Sequence, residues 1–349
     1  MTFQEAMIEA HKIAFYPMLF QALRSMVKFG ILPHICESKG GAGREELGQA
    51  SKLSPYAVGL MLDIAILMGI VWEREGSFFP TKLAKLLVED KSVRISMDFM
   101  HDVCYQGAFA LDKSFEIGKP EGLKVFGEWE TIYQGLCHLP ENVSKSWFNY
   151  DNYYSDLVFD DAVAIVLENK PCVVYDIGGN TAKFDIALFR ADGSVRSMII
   201  DLPLTLEKAK AGLSGAGFAG RAEFVPIDML DPKAKLPKGA DAIWMSQFLD
   251  CFSPKDIVSI LKKSKEALSP GGRVFILEPF VDLQDRGTAL ALAGLSLYFT
   301  CMANGCSKIY RQSEMGEFIK EAGLSILRLH HDIGMFKYTL LECVDNEIC

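Results

Sequence analysis

The sequence predicts an α/β chain, in which a mainly α-helical N-terminal domain precedes a mostly parallel seven-stranded sheet. Three observations carry this. The run Val173-Val174-Tyr175-Asp176-Ile177 is rich in β-branched residues and ends in Gly178-Gly179. It then passes into Phe184-Asp185-Ile186-Ala187-Leu188-Phe189, whose apolar residues recur at helical spacing. That is a buried strand, a tight turn and a helix start, the opening βα unit of a nucleotide-binding sheet. Downstream, short apolar strands alternate with helices until a terminal hairpin, the pattern of a parallel sheet closed by one antiparallel strand. Upstream, three helices lead into a β-hairpin, a winged-helix pattern.

Taken in order, Ile13 to Ile35 reads as an apolar-rich helix broken by Gly30 and Pro33, and Arg44 to Gln49 as a short one. Ser54-Pro55 is an N-cap followed by proline at the first helical position, opening a helix from Tyr56 to Met68 that stops near Gly69. Ile70-Val71-Trp72 and Phe78-Phe79-Pro80 flank a polar turn, and Thr81 caps the next helix. A DNA-reading winged helix needs Lys, Arg or polar side chains on its recognition helix. Ser54 to Ile70 has neither Lys nor Arg and is apolar all round, so the expectation is a buried helix in a dimer-forming domain. Phe99 to Ser155 reads as a helical link, ending in Trp147, Phe148, Tyr150, Tyr153 and Tyr154, which are placed to line a pocket. The expected divisions are residues 1–100, 101–165 and 166–349. In the last of these, strands follow at Met198–Asp201, Glu223–Asp228, Ala240–Gln247 and Arg273–Glu278. Helices are expected at Ile257–Leu268 and Ser313–Ala322, and a hairpin at Ser325–His331 with Phe336–Val344.

Composition narrows the function. Half of the 349 residues are hydrophobic, which excludes a disordered chain, and a net charge of −9 argues against nucleic-acid or anionic-membrane partners. The nine cysteines are scattered with no C-x-x-C pair, so neither a metal site nor a disulfide framework is expected. The apolar run from Thr288 to Ala303 falls short of the ~18 residues of a membrane span. Met1 to Glu5 has no basic or apolar leader character, so a cytoplasmic protein is expected.

Asp176-x-Gly178-Gly179 departs from the dinucleotide pattern G-x-G-x-x-G, because Asn180 stands at the second glycine's place. With Asp201-Leu202-Pro203, Asp228-Met229, Asp241-Ala242, Phe248 to Ser253 and Ser269-Pro270-Gly271-Gly272-Arg273 through Glu278, it forms an ordered series. From Arg44 onward this series resembles the small-molecule O-methyltransferases with an N-terminal winged-helix dimerisation domain. These include plant caffeate- and flavonoid-type enzymes and bacterial polyketide-tailoring relatives. The resemblance implies a Rossmann-like fold, S-adenosylmethionine (SAM) as cofactor without a metal, a small aromatic hydroxyl substrate and a homodimer.

The resemblance also implies roles. Asp176, Gly178 and Gly179 would form the loop around the methionine part of SAM. Asp201 and Leu202 would meet the ribose, and Asp228 the adenine amino group, with Met229 and Phe252 against its faces. The family lysine of the fourth strand falls on Ser246. Tyr105, Trp147, Tyr150, Tyr154, Phe248, Tyr298 and Met302 are the substrate candidates, with Phe99, Phe109 and Leu297 as further ones. The largest departure is catalytic. Where the family reads Leu-His-Asp-Trp, this chain reads Leu249-Asp250-Cys251-Phe252, so Asp250 takes the place of the histidine base. The first supporting glutamate is Glu278; the second falls on Ile309. Asp250 and Glu278 are therefore the expected catalytic pair, and their mutual repulsion in a closed pocket should raise the pKa of one of them. His101 is an alternative base. The alternative function is a SAM-binding member of the fold that has lost or changed methyl transfer.

Overall fold

The computed structural model describes residues 1–348. The chain divides into two compact units, the first ending at Val103 and the second beginning at Cys104.

In the first unit, α1 (Phe3–Lys28) begins ten residues before its expected start. Its signal was a capping box, in which Thr2 accepts the Glu5 N–H and Glu5 accepts the Thr2 N–H. Gly30, at φ +77°, makes the break before α2 (Ile31–Glu37). Pro33 is no breaker, because it lies in the first turn of α2, where its missing N–H has no helical acceptor to lose. There follow β1 (Ala42–Gly43), α3 (Arg44–Ser51), α4 (Pro55–Leu67), β2 (Val71–Arg74), β3 (Ser77–Pro80), α5 (Lys82–Glu89) and α6 (Lys91–Phe99). Ser54, Thr81 and Asp90 cap α4, α5 and α6 through their side chains. Helices α3 and α4 meet at 115°, and β2 pairs with β3 antiparallel, with β1 on the far edge of β3. Met26, Leu32, Ile35, Leu47, Leu62 and Phe78 fill the core. Helix α4 is not buried all round as expected: Tyr56 and Leu67 are 78% and 87% exposed.

The second unit starts with α7 (Leu111–Ile117), α8 (Ile132–Gly135), α9 (Glu141–Asp156) and α10 (Phe159–Leu167). The sheet elements follow: β4 (Val173–Ile177), α11 (Lys183–Ala191), β5 (Arg196–Asp201), α12 (Pro203–Gly215), β6 (Ala222–Pro226), β7 (Ala240–Ser246), α13 (Pro254–Ala267) and β8 (Leu268–Glu278). Then come α14 (Arg286–Tyr298), α15 (Gln312–Glu321), β9 (Leu324–Ile333) and β10 (Tyr338–Asp345). The seven strands lie in the order β6-β5-β4-β7-β8-β10-β9, with β10 alone antiparallel to the rest. Strand β8 is longer than expected because Leu268 already pairs with Ala240, and the Pro-Gly-Gly segment passes as an irregularity in the register. On one face Ile243, Val274 and Ile276 pack with Ile257 and Leu261 of α13 and Met315 of α15. On the other, Ile199, Trp244 and Phe275 pack with Val163, Phe184, Leu188 and Leu206 from α10, α11 and α12. Strands are added outward from β4 to one side and from β7 to the other, so the winding order switches between these two parallel neighbours and a crevice opens at their carboxyl ends. Among the described residues, no single helix is long and apolar enough to cross a membrane.

Candidate active site

Two loops flank that crevice. The loop after β4 carries Gly178 at φ +78° and Asn180 at φ +48°. A Cβ at Gly178 would stand 2.4 Å from the Phe248 ring, and one at Gly179 would stand 2.6 Å from Ile199 and 2.7 Å from an Asp176 oxygen. Glycine is therefore required here by neighbouring protein atoms as well as by backbone conformation. Asn180 fills the last glycine's place because asparagine tolerates the left-handed region. Its N–H donates to Asp201 Oδ2 at 3.0 Å and its Nδ2 to Asp151 Oδ2 at 2.9 Å. Asp201, at the end of β5, accepts the Leu202 N–H as well, at 2.7 Å, and burial pushes its carboxyl up.

A cavity of about 550 Å³ lies against this loop, lined by Asp151, Asp156, Asp176, Gly178 to Thr181, Lys183, Trp244, Ser246, Gln247 and Phe248 among others. Buried side-chain atoms here have no protein partner: Asp176 Oδ2, Ser246 Oγ and Gln247 Nε2. Asp176 is 3% exposed and lies beside buried Asp185. Burial, and then each other's charge, raises the Asp176 carboxyl well above the usual range, while burial lifts Asp185 to about 6. Lys183 is ion-paired with Asp156.

The loop after β7 carries the expected catalytic pair. Glu278, 2% exposed at the end of β8, accepts the backbone N–H groups of Phe248 (3.2 Å) and Leu249 (2.9 Å) through Oε1, while Oε2 is buried without a partner. It thereby fixes the turn that presents Asp250. Asp250 is 6% exposed, and burial first, then the charge of Asp151, pushes its carboxyl up to about 7 against a hydrogen bond from Cys251 that lowers it. The repulsion expected between Asp250 and Glu278 is present as the second cause of the Glu278 shift, after burial. Asp250, Glu278, Ile309 and Tyr310 border one narrow cleft, so Ile309 lies close to the two carboxylates.

The remaining expected residues divide. Trp147 Nε1 donates to the Tyr298 hydroxyl at 2.7 Å, and Tyr150 and Tyr154 stack tilted at 4.7 Å. Phe252 meets Phe248 edge-on at 4.8 Å, and Met229 is buried in the core beside the sheet. Asp228 caps its own turn by accepting the Leu230 N–H at 2.9 Å, and Leu202 is half-exposed at the start of α12. Met302 is spent on packing, its sulfur wedged against Gly107 and Gly122 where no Cβ would fit. Phe109 is 97% exposed and Leu297 is half-exposed, and Tyr105, like Trp147, Tyr150, Tyr154 and Tyr298, lines neither cavity. Phe99 and His101 belong to the first unit, where His101 Nδ1 lies 3.0 Å from Gln21 Oε1 and the ring borders the Arg24–Asp102 ion pair.

Sequence reasoning missed five residues here. Tyr133 of α8 shares a hydrogen bond with Cys251 and feels the charge of Asp250. Tyr310 donates to the Phe252 carbonyl at 2.7 Å, and Tyr338 to Gln247 Oε1 at 3.3 Å. Asp151, the lone acid in an aromatic stretch, is lifted by burial to about 6. Gln247 itself sits at φ +48°.

An O-methyltransferase domain model matches residues 129–325, and a Dimerisation2-like domain model matches residues 8–78. The chain belongs to the O-methyltransferase family. Among its relatives, L-tyrosine C(3)-methyltransferase of Streptomyces lavendulae is 26% identical over 318 residues, 90% of this chain and 85% of that one. Demethylspheroidene O-methyltransferase of Cereibacter sphaeroides is 36% identical over 261 residues, 74% of this chain and 66% of the relative. The structure of the mitomycin 7-O-methyltransferase superposes with a TM-score of 0.77 at 18% identity, covering 98% of each chain. An O-methyltransferase from neocarzinostatin biosynthesis, solved with SAM and 2-hydroxy-5-methyl naphthoic acid, gives a TM-score of 0.69 at 21% identity over 95% of this chain and 96% of that one. This O-methyltransferase is therefore a SAM-dependent enzyme with an α/β SAM-binding domain and a helical dimerisation domain. Residues with orphaned donors and acceptors beside a glycine loop, lining one cleft, suit a zwitterionic nucleoside cofactor.

Proposed function

We propose that this O-methyltransferase transfers the methyl group of SAM to a hydroxyl of a small aromatic compound, with Asp250 as general base. The observation that carries this is the environment of Asp250, buried among aromatic and thiol groups with its carboxyl lifted to about 7. A solvated aspartate near ~3.9 is a weak base toward a phenol near ~10, and a value raised by burial narrows that gap. SAM supplies an electrophilic methyl on a sulfonium, and in-line displacement needs alignment with a deprotonated acceptor. Glu278 holds the turn that aims Asp250, and the set Trp147, Tyr150, Tyr154 and Tyr298, joined by Tyr133, supplies aromatic walls for the acceptor. In this reading the loop from Asp176 to Asn180 takes the methionine part of SAM. Asp201 and Leu202 meet the ribose, and Asp228, Met229 and Phe252 the adenine. The names of relatives acting on naphthoates and flavonoids support an aromatic acceptor.

We further propose a winged-helix first unit that forms a homodimer, and a cytoplasmic enzyme. The similarity to a tyrosine C(3)-methyltransferase makes a ring carbon ortho to the hydroxyl the second reading of the acceptor atom. The test is transfer of labelled methyl from SAM to a panel of phenols, catechols and aromatic carboxylates, with fragmentation of the product to place the methyl. Asp250→Asn and Asp250→Ala should each slow transfer about 10²-fold or more. Wild-type rates in both variants would remove Asp250 from the chemistry.

A further inference from the structure

The cavity at the glycine loop, which Ser246 helps to line, has few positive groups to meet an anion. Among the described residues lining it, the cation is Lys183, already ion-paired with Asp156. The carboxylates of Asp151, Asp156 and Asp176 suit an ammonium group, but a methionyl end also carries a carboxylate that must be met by donors.

We propose that the side-chain amide of Gln247 binds the α-carboxylate at the amino-acid end of SAM. Resting on the SAM reading of this cavity, the proposal assigns a cofactor contact to a residue outside the glycine loop and the ribose acid. Three observations lead to it. Gln247 is held at φ +48°, a conformation glutamine rarely adopts, and its N–H is tied to the Leu277 carbonyl at 2.9 Å. The buried hydroxyl of Tyr338 donates to Oε1 at 3.3 Å, which leaves Nε2 as the donor end of the amide. That Nε2 is buried without a partner, and Gln247 lines the same cavity as Gly178 and Asn180, as does Ser246, whose Oγ is equally unpartnered. Burying an amide N–H unpaired is costly, and a carboxylate is the acceptor that repays most, through a charge-assisted bond. Gln247 and Ser246, consecutive in the chain, thus bring two neutral donors to this cavity.

The experiment is calorimetric titration of the full chain with S-adenosylhomocysteine and with 5′-methylthioadenosine, which lacks the amino-acid end. In Gln247→Asn the amide is withdrawn by one methylene, and asparagine tolerates the left-handed backbone. In Gln247→Glu the shape is kept but the donor is replaced by an acceptor. Both should weaken S-adenosylhomocysteine about tenfold or more while methylthioadenosine stays within about twofold. Equal losses for the two nucleosides, or unchanged affinity for S-adenosylhomocysteine, would overturn the assignment. A folded wild-type protein that binds neither nucleoside would instead refute the cofactor reading beneath it, and the assignment with it.

Discussion

Two buried acids behind the glycine loop have no ion-pair partner among the described residues, and they set a pH dependence of stability. Asp185 is lifted to about 6 by burial, and burial with the charge of Asp185 raises Asp176 well above the usual carboxylate range. In an unfolded chain both titrate near ~3.9, so the folded state binds more protons between these values and loses stability as pH rises through about 6. Asp185→Asn should therefore raise the melting temperature at pH 8, and this gain should shrink through pH 6 and vanish near pH 4. Parallel melting curves of wild type and variant across that range would contradict the assignment of a shared burden to this pair. Asp176 was legible as the acid of the loop. Asp185 was not, because an acid in the first turn of a helix reads as a favourable exposed charge. Asp151 and Gln247 escaped for a related reason: a single polar residue in an aromatic or apolar stretch gives no periodic signal, and only tertiary placement shows where it points. Asp250 was legible through its place in the Leu-Asp-Cys-Phe series, and it lies beside Cys251 and Tyr133.

At the scale of elements, capping chemistry was readable and boundaries less so. Ser54-Pro55 and Thr81 start helices as the sequence indicates, whereas the Thr2–Glu5 box was overlooked and Pro33 taken for a breaker. The βα turn was expected to need glycine for the approach of a ligand, yet Phe248 and Ile199 already crowd Gly178 and Gly179. Gly178→Ala should cost about 1–3 kcal/mol for its left-handed backbone, plus the clash with the Phe248 ring. Adding Phe248→Ala should recover the clash but not the backbone part. Urea unfolding of the two variants measures this, and an unchanged midpoint for Gly178→Ala would show that the loop relaxes freely. The element that reasoning could not reach is the packing of α14 and its extension through Ala303. There Met302 was expected in the pocket and instead fills a gap between glycine backbones. Small neighbours decide such placements, and they are not visible in a helical pattern.

At the scale of the molecule, α1 and α4 leave Phe3, Ile13, Phe15, Met18, Tyr56 and Leu67 largely exposed, more apolar surface than a single copy leaves uncovered without use. With a Dimerisation2-like domain over residues 8–78, light scattering at micromolar concentration should give twice the chain mass. A stable interface of this kind buries more than ~2,000 Å². A monomer under those conditions would leave the exposed face unexplained. The mostly parallel sheet, its closing hairpin and the family were legible because strand alternation and an ordered motif series are global signals that survive errors at single positions, whereas the order of the strands was not read from the sequence. The central claim is that an aspartate does the work of the family's histidine, and the most direct measurement is the pH profile of single-turnover methyl transfer from SAM. The wild-type rate should rise with pH through about 7, where Asp250 becomes a carboxylate, and Asp250→Asn should lose both the rate and that limb. An acidic limb unchanged in Asp250→Asn, at a wild-type rate, would contradict the account.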